Sequence, residues 1–139
     1  MISFHVPGVP QGKGRPRIVK IAGFSRLAPP KKTASYEGLI AHAASIAMAG
    51  KPLLTAAVRV AIYIDCQVPA SWSQKKQRAA IAGSVMPVVR PDTDNVVKAV
   101  YDACNGVVWK DDVQVVDGAQ RKRYSQTPGV RVFITLATP

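Results

Sequence analysis

The spacing of apolar residues changes along the chain and divides it into strands and helices. Ser3 to Val9 is strand-like, interrupted at Pro7 and closed by Pro10. Residues 11–32 have no apolar period and are rich in Gly, Pro, Lys and Arg, which predicts a basic flexible loop or a hairpin with a mobile tip. An Ala-rich run follows, capped by Thr33 or Ser35 and ended near Ala49 by Gly50, and it predicts a helix. Val58 to Cys66 is a long strand, and Ser71 or Ser73 starts a short helix to about Ala82. Val85 to Val89 is a brief extended piece containing Pro87, and Val107 to Trp109 is another. Between them Asp94 to Asn105 forms a helix ended by Gly106. Gln114 to Tyr124 and Val130 to Leu136 are expected to close the fold as a hairpin around Pro128 and Gly129. No repeat and no second domain interrupt this order. It predicts one compact α+β domain over residues 1–139, a mixed sheet packed by two or three helices.

Composition sharpens the picture. With 139 residues and 47% hydrophobic content the chain can bury its own core. Two cysteines, Cys66 and Cys104, stand in apolar surroundings without a second Cys or His at metal-ligand spacing. They read as buried free thiols, in keeping with a reducing cytoplasm. No segment has the roughly 20 consecutive apolar residues of a membrane span, and the N-terminus reads as a strand, not a signal peptide.

Charge changes the picture most. Nineteen Lys and Arg face eight acids, a net charge of +11, which is the footprint of a nucleic-acid partner. Seven of the cations (Lys13, Arg15, Arg17, Lys20, Arg26, Lys31, Lys32) lie in the first 32 residues, where there is no acid. Six of the eight acids, all Asp, fall between Asp92 and Asp117. Carboxylates repel phosphates, so gathering them weakens DNA binding unless a cation sits among them.

The densest chemistry is in the run from Arg90 to Gly106. Pro91 disfavours helix for Arg90, so Asp92 falls in the turn before the helix and Asp94 at its start, where both can converge on one ion. Val97, Val100, Tyr101 and Cys104 make an apolar stripe, while Asp94, Lys98 and Asp102 follow one another on a polar stripe. Asp111 and Asp112 stand in a loop that can turn back toward the helix start and bring in a third carboxylate. Hard oxygen ligands of this kind suit Mg²⁺, with Mn²⁺ substituting, and Lys98 is placed to stabilise charge on a scissile phosphate. Taken singly, each has a plainer reading: Asp92 and Asp94 as helix caps, Asp111 and Asp112 as a solvated turn, Lys98 as the i±4 partner of Asp94 or Asp102.

These residues resemble the RusA family of Holliday-junction resolvases, found in bacteria and their prophages. The family pattern runs Lys/Arg-Pro-Asp-x-Asp-Asn-Leu-x-Lys, then Asp-Ala-Leu-Asn-Gly, then Asp-Asp-x-Gln-Val, and stands here at Arg90–Lys98, Asp102–Gly106 and Asp111–Val115. Val96 and Cys104 replace the usual Leu, keeping an apolar residue at each place. The resemblance implies a Mg²⁺-dependent endodeoxyribonuclease of bacterial or prophage origin, acting in the cytoplasm in DNA recombination and repair. It implies a homodimer that makes paired symmetric nicks in four-way junctions. It further implies that Asp92, Asp94 and Asp112 hold the metal and that Lys98 is the accompanying essential basic residue, with Asp111 a second-rank candidate.

The basic segment is read as the DNA grip. Lys13, Arg15, Arg17, Lys31 and Lys32 are expected to hold junction phosphates, with Lys75, Lys76, Arg78 and Arg90 extending the track. Two other functions fit the same residues: a broader branched-DNA or flap nuclease, and a non-catalytic basic nucleic-acid-binding protein. Aromatic content of 6% argues against a stacking platform for single strands. His5 and His42 are far apart in sequence and read as structural.

Overall fold

A computed structural model describes the backbone of residues 1–13, 17–21, 23–28 and 31–139, and side chains for 1–13, 23 and 34–139. Six strands and three helices follow in the order β1 (Ile2–Pro7), β2 (Arg17–Ile21), β3 (Phe24–Ala28), α1 (Lys31–Met48), β4 (Val58–Gln67), α2 (Gln74–Ile81), α3 (Thr93–Cys104), β5 (Val115–Ser125) and β6 (Gly129–Leu136). The class is α+β with a mixed four-stranded sheet, as the hydrophobic pattern predicts. The basic segment is a hairpin: β2 pairs antiparallel with β3 in a sheet of their own.

The sheet order is β1-β6-β4-β5, and it overturns the expected closing hairpin. β5 and β6 follow each other in sequence but never pair. β4 lies between them, parallel to β5 and antiparallel to β6. Burial explains the choice. On β4 every residue from Val60 to Cys66 is buried or half-buried, as suits a strand covered on both edges. On β5 the residues from Val116 to Arg121 are all exposed, so that strand belongs on an edge. The connection Gln126–Pro128 therefore carries the chain across the end of β4 rather than around a tight turn.

One face of the sheet holds the core. Val58, Val60, Ile62 and Ile64 of β4 and Val130, Val132 and Ile134 of β6 point to it and are at most 1% exposed. α1 and α3 pack on that face with Tyr36, Ile40, Ala44 and Met48 from one and Val96, Val100 and Cys104 from the other. The opposite face is polar and half-open. There Arg131 clamps Asp65 with bonds of 2.7 and 3.2 Å, and Tyr63 meets Phe133 edge-on at 5.7 Å. This pairing is what allows Asp65 to be the one buried charged residue among the described side chains.

The helices also differ from expectation in detail. α1 begins at Lys31, before the expected caps Thr33 and Ser35, and ends as foreseen where Ala49 and Gly50 take positive φ. α2 has the expected cap, Ser73, whose side chain accepts from the Lys76 amide at 3.2 Å. The buried stripe of α3 runs through Val96, Ala99, Val100, Ala103 and Cys104, with Val97 and Tyr101 only half-buried at its border. Its centre is thus rotated from the expected stripe, because small Ala99 and Ala103 sit where α1 and the sheet approach. Val85–Val89 forms no strand, and Val107–Trp109 contributes only single bridges from Trp109 to Leu54 and to Asn105.

Trp109 is fully buried beneath this connection. Its indole N–H donates to Asn105 Oδ1 at 2.8 Å, and its ring meets Tyr101 edge-on at 5.9 Å. Removing so large a buried side chain leaves a cavity under the end of α3. Trp109→Ala should lower the unfolding free energy by about 3–5 kcal/mol. Equilibrium urea unfolding measures this, and a loss well under about 1 kcal/mol would show that the indole is not a core element.

Candidate active site

The candidate residues are organised by α3. Asp92 is its N-cap, with extended φ −67° and ψ 141°, and the Val96 amide bonds to its carbonyl at 3.2 Å. Its carboxylate makes no capping bond to the helix. It accepts from the Asn95 side-chain amide, whose Nδ2 stands 3.4 Å from Asp92 Oδ2. The plainer reading of Asp92 as a cap is therefore true of its backbone and not of its side chain. Asp94 follows in the first turn, exposed. The helix macrodipole favours acids at this end.

Lys98, one turn on from Asp94, is exposed and forms no ion pair among the described residues. The plainer reading of Lys98 as the i±4 partner of Asp94 or Asp102 is not met among the described residues; Asp102 is paired with Lys13 instead. The Lys13 ammonium bonds directly to Asp102 and lies 3.8 Å from Glu37 Oε1 of α1. That hydrogen bond, opposed by partial burial, holds Lys13 above its ordinary range, and burial pushes the Glu37 carboxyl up. The backbone enforces this docking. The Lys13 amide donates to the Asn95 carbonyl at 3.2 Å, and a Cβ at Gly12 would fall 2.9 Å from Asn95 Cβ. The charge of Lys13 thus faces two carboxylates and ties the root of the basic hairpin to α3, where sequence reasoning expected a phosphate contact.

At the other end of α3 the backbone leaves the helix at Asn105, and Gly106 takes φ +77°, a left-handed turn that favours glycine. The chain comes back over the last turn of the helix and no further. Gln114 fixes it there: its Oε1 accepts from the Lys110 and Asp111 amides at 2.9 and 3.1 Å, and its Nε2 donates to the Leu54 and Ala56 carbonyls at 2.8 and 3.0 Å. The two neighbouring acids then part company. Asp111 Oδ1 accepts from the Val113 amide at 3.2 Å and completes a capping box with Gln114, so it is spent on the short 3-10 turn Asp112–Gln114. Asp112 instead turns toward α3, with Oδ2 3.5 Å from Asn105 Nδ2. Burial raises the Tyr101 phenol, and the Asp112 charge adds to the rise.

Asp112 therefore does not join Asp92 and Asp94 as expected. Asn105 lies eleven positions beyond Asp94 along the helix, roughly 16 Å of axial rise. Among the described residues no group of three or more His, Cys, Asp or Glu closes on one point. Tyr101 and Asn105 nevertheless lie within about 20° of Asp94 around the helix, so Asp112, beside Asn105, lies along the same ridge of α3 as Asp94, with Asp92 capping its N-terminal end. Asp112 sits beside the C-terminus of α3, where the dipole disfavours a carboxylate, and its local support is the first turn of the short 3-10 helix and the 3.5 Å contact from Asn105. None of Asp92, Asp94, Asp111 and Asp112 has a basic partner among the described residues, in a chain of net charge +11. Unneutralised carboxylate oxygens of this kind are donors for a hard divalent cation, and the Asp92–Asp94 end fits one best.

The remaining candidates are dispersed. Lys75, Lys76 and Arg78 belong to α2, Lys76 with its ammonium 4.0 Å over the Trp72 ring, and Arg90 is exposed ahead of α3. Arg15 and the side chains of Arg17, Lys31 and Lys32 lie outside the described residues. His5 and His42 are exposed on separate elements and belong to no metal-holding group among the described residues. Both cysteines are buried and free, and burial pushes the Cys104 thiol up to about 12. One residue escaped sequence reasoning: Lys122 on β5 bonds to the turn before Asp92. Its only signal was a place in the middle of three consecutive cations, where strand alternation turns it opposite to its neighbours.

Among the described residues no helix is long and apolar enough to cross a membrane. Residues 7–135 match the family profile described as Endodeoxyribonuclease RusA. A protein of Bacillus subtilis (strain 168), named Uncharacterized protein YqaN, is 36% identical over 135 residues, covering 96% of this chain and 94% of the relative. With the match spanning nearly the whole domain, and the acidic ridge of α3 inside it, the chain belongs to the RusA family of endodeoxyribonucleases.

Proposed function

We propose that this endonuclease hydrolyses phosphodiester bonds at four-way (Holliday) junctions with Mg²⁺, or Mn²⁺ in its place, as a homodimer serving DNA recombination and repair. The observation that carries the reading is the pair Asp92 and Asp94 at the start of α3, one turn from Lys98: among the described residues neither carboxylate has a basic partner and Lys98 has no acidic one. In a strongly basic chain such a pair favours DNA binding only when a cation stands between it and the phosphates.

Bound there, a divalent ion would supply an activated water and neutralise charge on the phosphate. The chain's own parts are distinct. Asp92 and Asp94 hold and orient; Asn95 steadies the Asp92 carboxylate. Lys98 offers its ammonium to the developing phosphate charge. Asp112, at the far end of the same ridge, is the third acid by family resemblance. Asp111 is left to the turn. Arg15, Arg17, Lys31 and Lys32 of the basic N-terminal segment, with Lys75, Lys76 and Arg90, position the DNA backbone and carry no base-sequence information. Two equivalent nicks need two sites, which a two-fold dimer supplies.

Cleavage of four-way, three-way, flap and linear duplex DNA with Mg²⁺, Mn²⁺ or EDTA tests the whole reading. Metal-dependent symmetric cutting of the four-way junction is expected. Equal cutting of flaps would favour a broader branched-DNA nuclease, and binding without cutting would reduce the chain to a binding protein. Asp92→Asn and Asp94→Asn should abolish cleavage while junction binding survives or tightens; wild-type rates in either would sink the site. The neighbouring acids should separate cleanly. Asp111→Ala should cost about 1 kcal/mol of stability as its cap disappears. Asp112→Ala should cost none and still stop cleavage, as thermal melts run beside the nuclease assay would reveal. For the basic N-terminal segment, replacing Arg15 and Arg17 with Ala should weaken junction binding. The slope of log K against log salt should flatten by nearly two, about 0.9 for each phosphate no longer neutralised. A native slope would remove this segment from the interface. Sedimentation of a monomer at assay concentration, with full symmetric cleavage, would remove the dimer.

A further inference from the structure

Strand β5 carries three consecutive cations, and strand alternation gives them different tasks. Arg121 and Arg123 stand opposite Tyr63 and Asp65, on the open face of the sheet, while Lys122 stands opposite Ile64 on the core-bearing face. The Arg121 guanidinium lies 5.0 Å from the Tyr63 ring, and Arg123 donates to the Lys122 carbonyl at 2.8 Å. Lys122 alone reaches inward. Its ammonium donates to the carbonyls of Val89 at 2.6 Å and Pro91 at 3.0 Å.

These two acceptors bracket the turn that delivers the chain into α3. The Pro91 carbonyl and the Asp92 amide belong to one planar peptide unit, so a bond to the first sets the orientation of the second. Val85 packs against the core and Pro87 is buried, but the residues from Val88 to Arg90, next to Asp92, are exposed. Val88 is 92% exposed and Val89 56%, and among the described residues no other side chain hydrogen-bonds to 85–91. A half-buried ammonium committed to two carbonyls is also poorly placed to grip DNA, the usual task of a lysine in so basic a chain.

We propose that Lys122 is a positioning residue: by clamping the Val89 and Pro91 carbonyls it fixes the direction in which Asp92 offers its carboxylate to the divalent ion. The proposal rests on the reading of Asp92 as a metal ligand. It makes β5, whose first residue follows the Asp112 turn, a brace for both ends of the acidic ridge.

The test uses Mn²⁺ alone, titrated onto the metal-free full chain without DNA and followed by calorimetry. Lys122→Met keeps the apolar stem and removes the donor; Lys122→Arg keeps a donor in place. Lys122→Met should weaken Mn²⁺ binding on the order of 10-fold or more, the usual cost of losing a group that orients a ligand. Lys122→Arg should restore most of it. Cleavage by Lys122→Met should recover at raised Mn²⁺, whereas Asp92→Asn should not recover. In an Asp92→Asn background Lys122→Met should cause no further loss of Mn²⁺ affinity, because its effect runs through that carboxylate. Native Mn²⁺ affinity in Lys122→Met overturns the proposal, and so does an undiminished loss in the Asp92→Asn background. Native affinity in Asp92→Asn itself would instead strike the ligand assignment. Should Lys122→Met fail to fold, Lys122→Gln carries the same comparisons.

Discussion

The burial of β4 is the constraint on which the rest of the molecule depends. It is paired along both edges and its inward residues Val58, Val60, Ile62 and Ile64 are sealed beneath α1 and α3. A strand so apolar cannot stand at an edge without exposing both its side chains and its backbone donors. β5 and β6 must therefore take opposite sides of it, although they are neighbours in sequence. That arrangement decides what lies near the acids. Because β5 runs parallel to β4 beside α3, its beginning carries the Asp111–Asp112 turn to the C-terminal end of α3, and its later residue Lys122 reaches the turn at the other end.

Charge is partitioned with similar economy. Asp65 and Asp117 are matched by Arg131 and Arg59, and Glu37 and Asp102 share Lys13. The four acids at the two ends of α3 are left without basic partners among the described residues. A +11 chain could neutralise them easily, so their isolation is a property of the fold and not of a shortage of cations. Lys13 shows the converse. It belongs to the basic segment by sequence, yet its ammonium is drawn to Asp102 and anchors the hairpin to the helix that carries Asp94 and Lys98. The basic hairpin and the acidic ridge are thereby mechanically joined.

Much of this was legible beforehand. The Ser73 cap, the Gly50 and Gly106 helix ends, the long β4 strand and the helix between Asp92 and Asn105 depend on local chemistry, where capping residues, positive-φ glycines and apolar period act over a few positions. The motif from Arg90 to Val115 likewise marked the acids and the family, because those residues are named by type and spacing alone. The buried state of Cys66 and Cys104 followed from their apolar surroundings.

Other features were decided only when distant segments met. No local signal says that β5 will prefer β4 to β6; that depends on which strand needs two covered edges. The α3 stripe rotated toward Val96, Ala99 and Ala103 because α1 approaches there, and helix period cannot say which of two adjacent stripes a neighbour will cover. Asp111 and Asp112 are the same residue type side by side, ranked in the sequence only by family resemblance, and it is the Gln114 clamp to Leu54 and Ala56 that turns one into a cap and leaves the other facing Asn105. Lys13 read as one more cation for phosphate and Lys122 drew no reading at all, until partners 89 and 31 residues away in sequence supplied them with acceptors. The sequence by itself determined which residues carry charge and which can start or stop an element, since those depend on neighbours along the chain. The tertiary structure decided which charges are spent and which remain free, since electrostatic partners are chosen by distance in space.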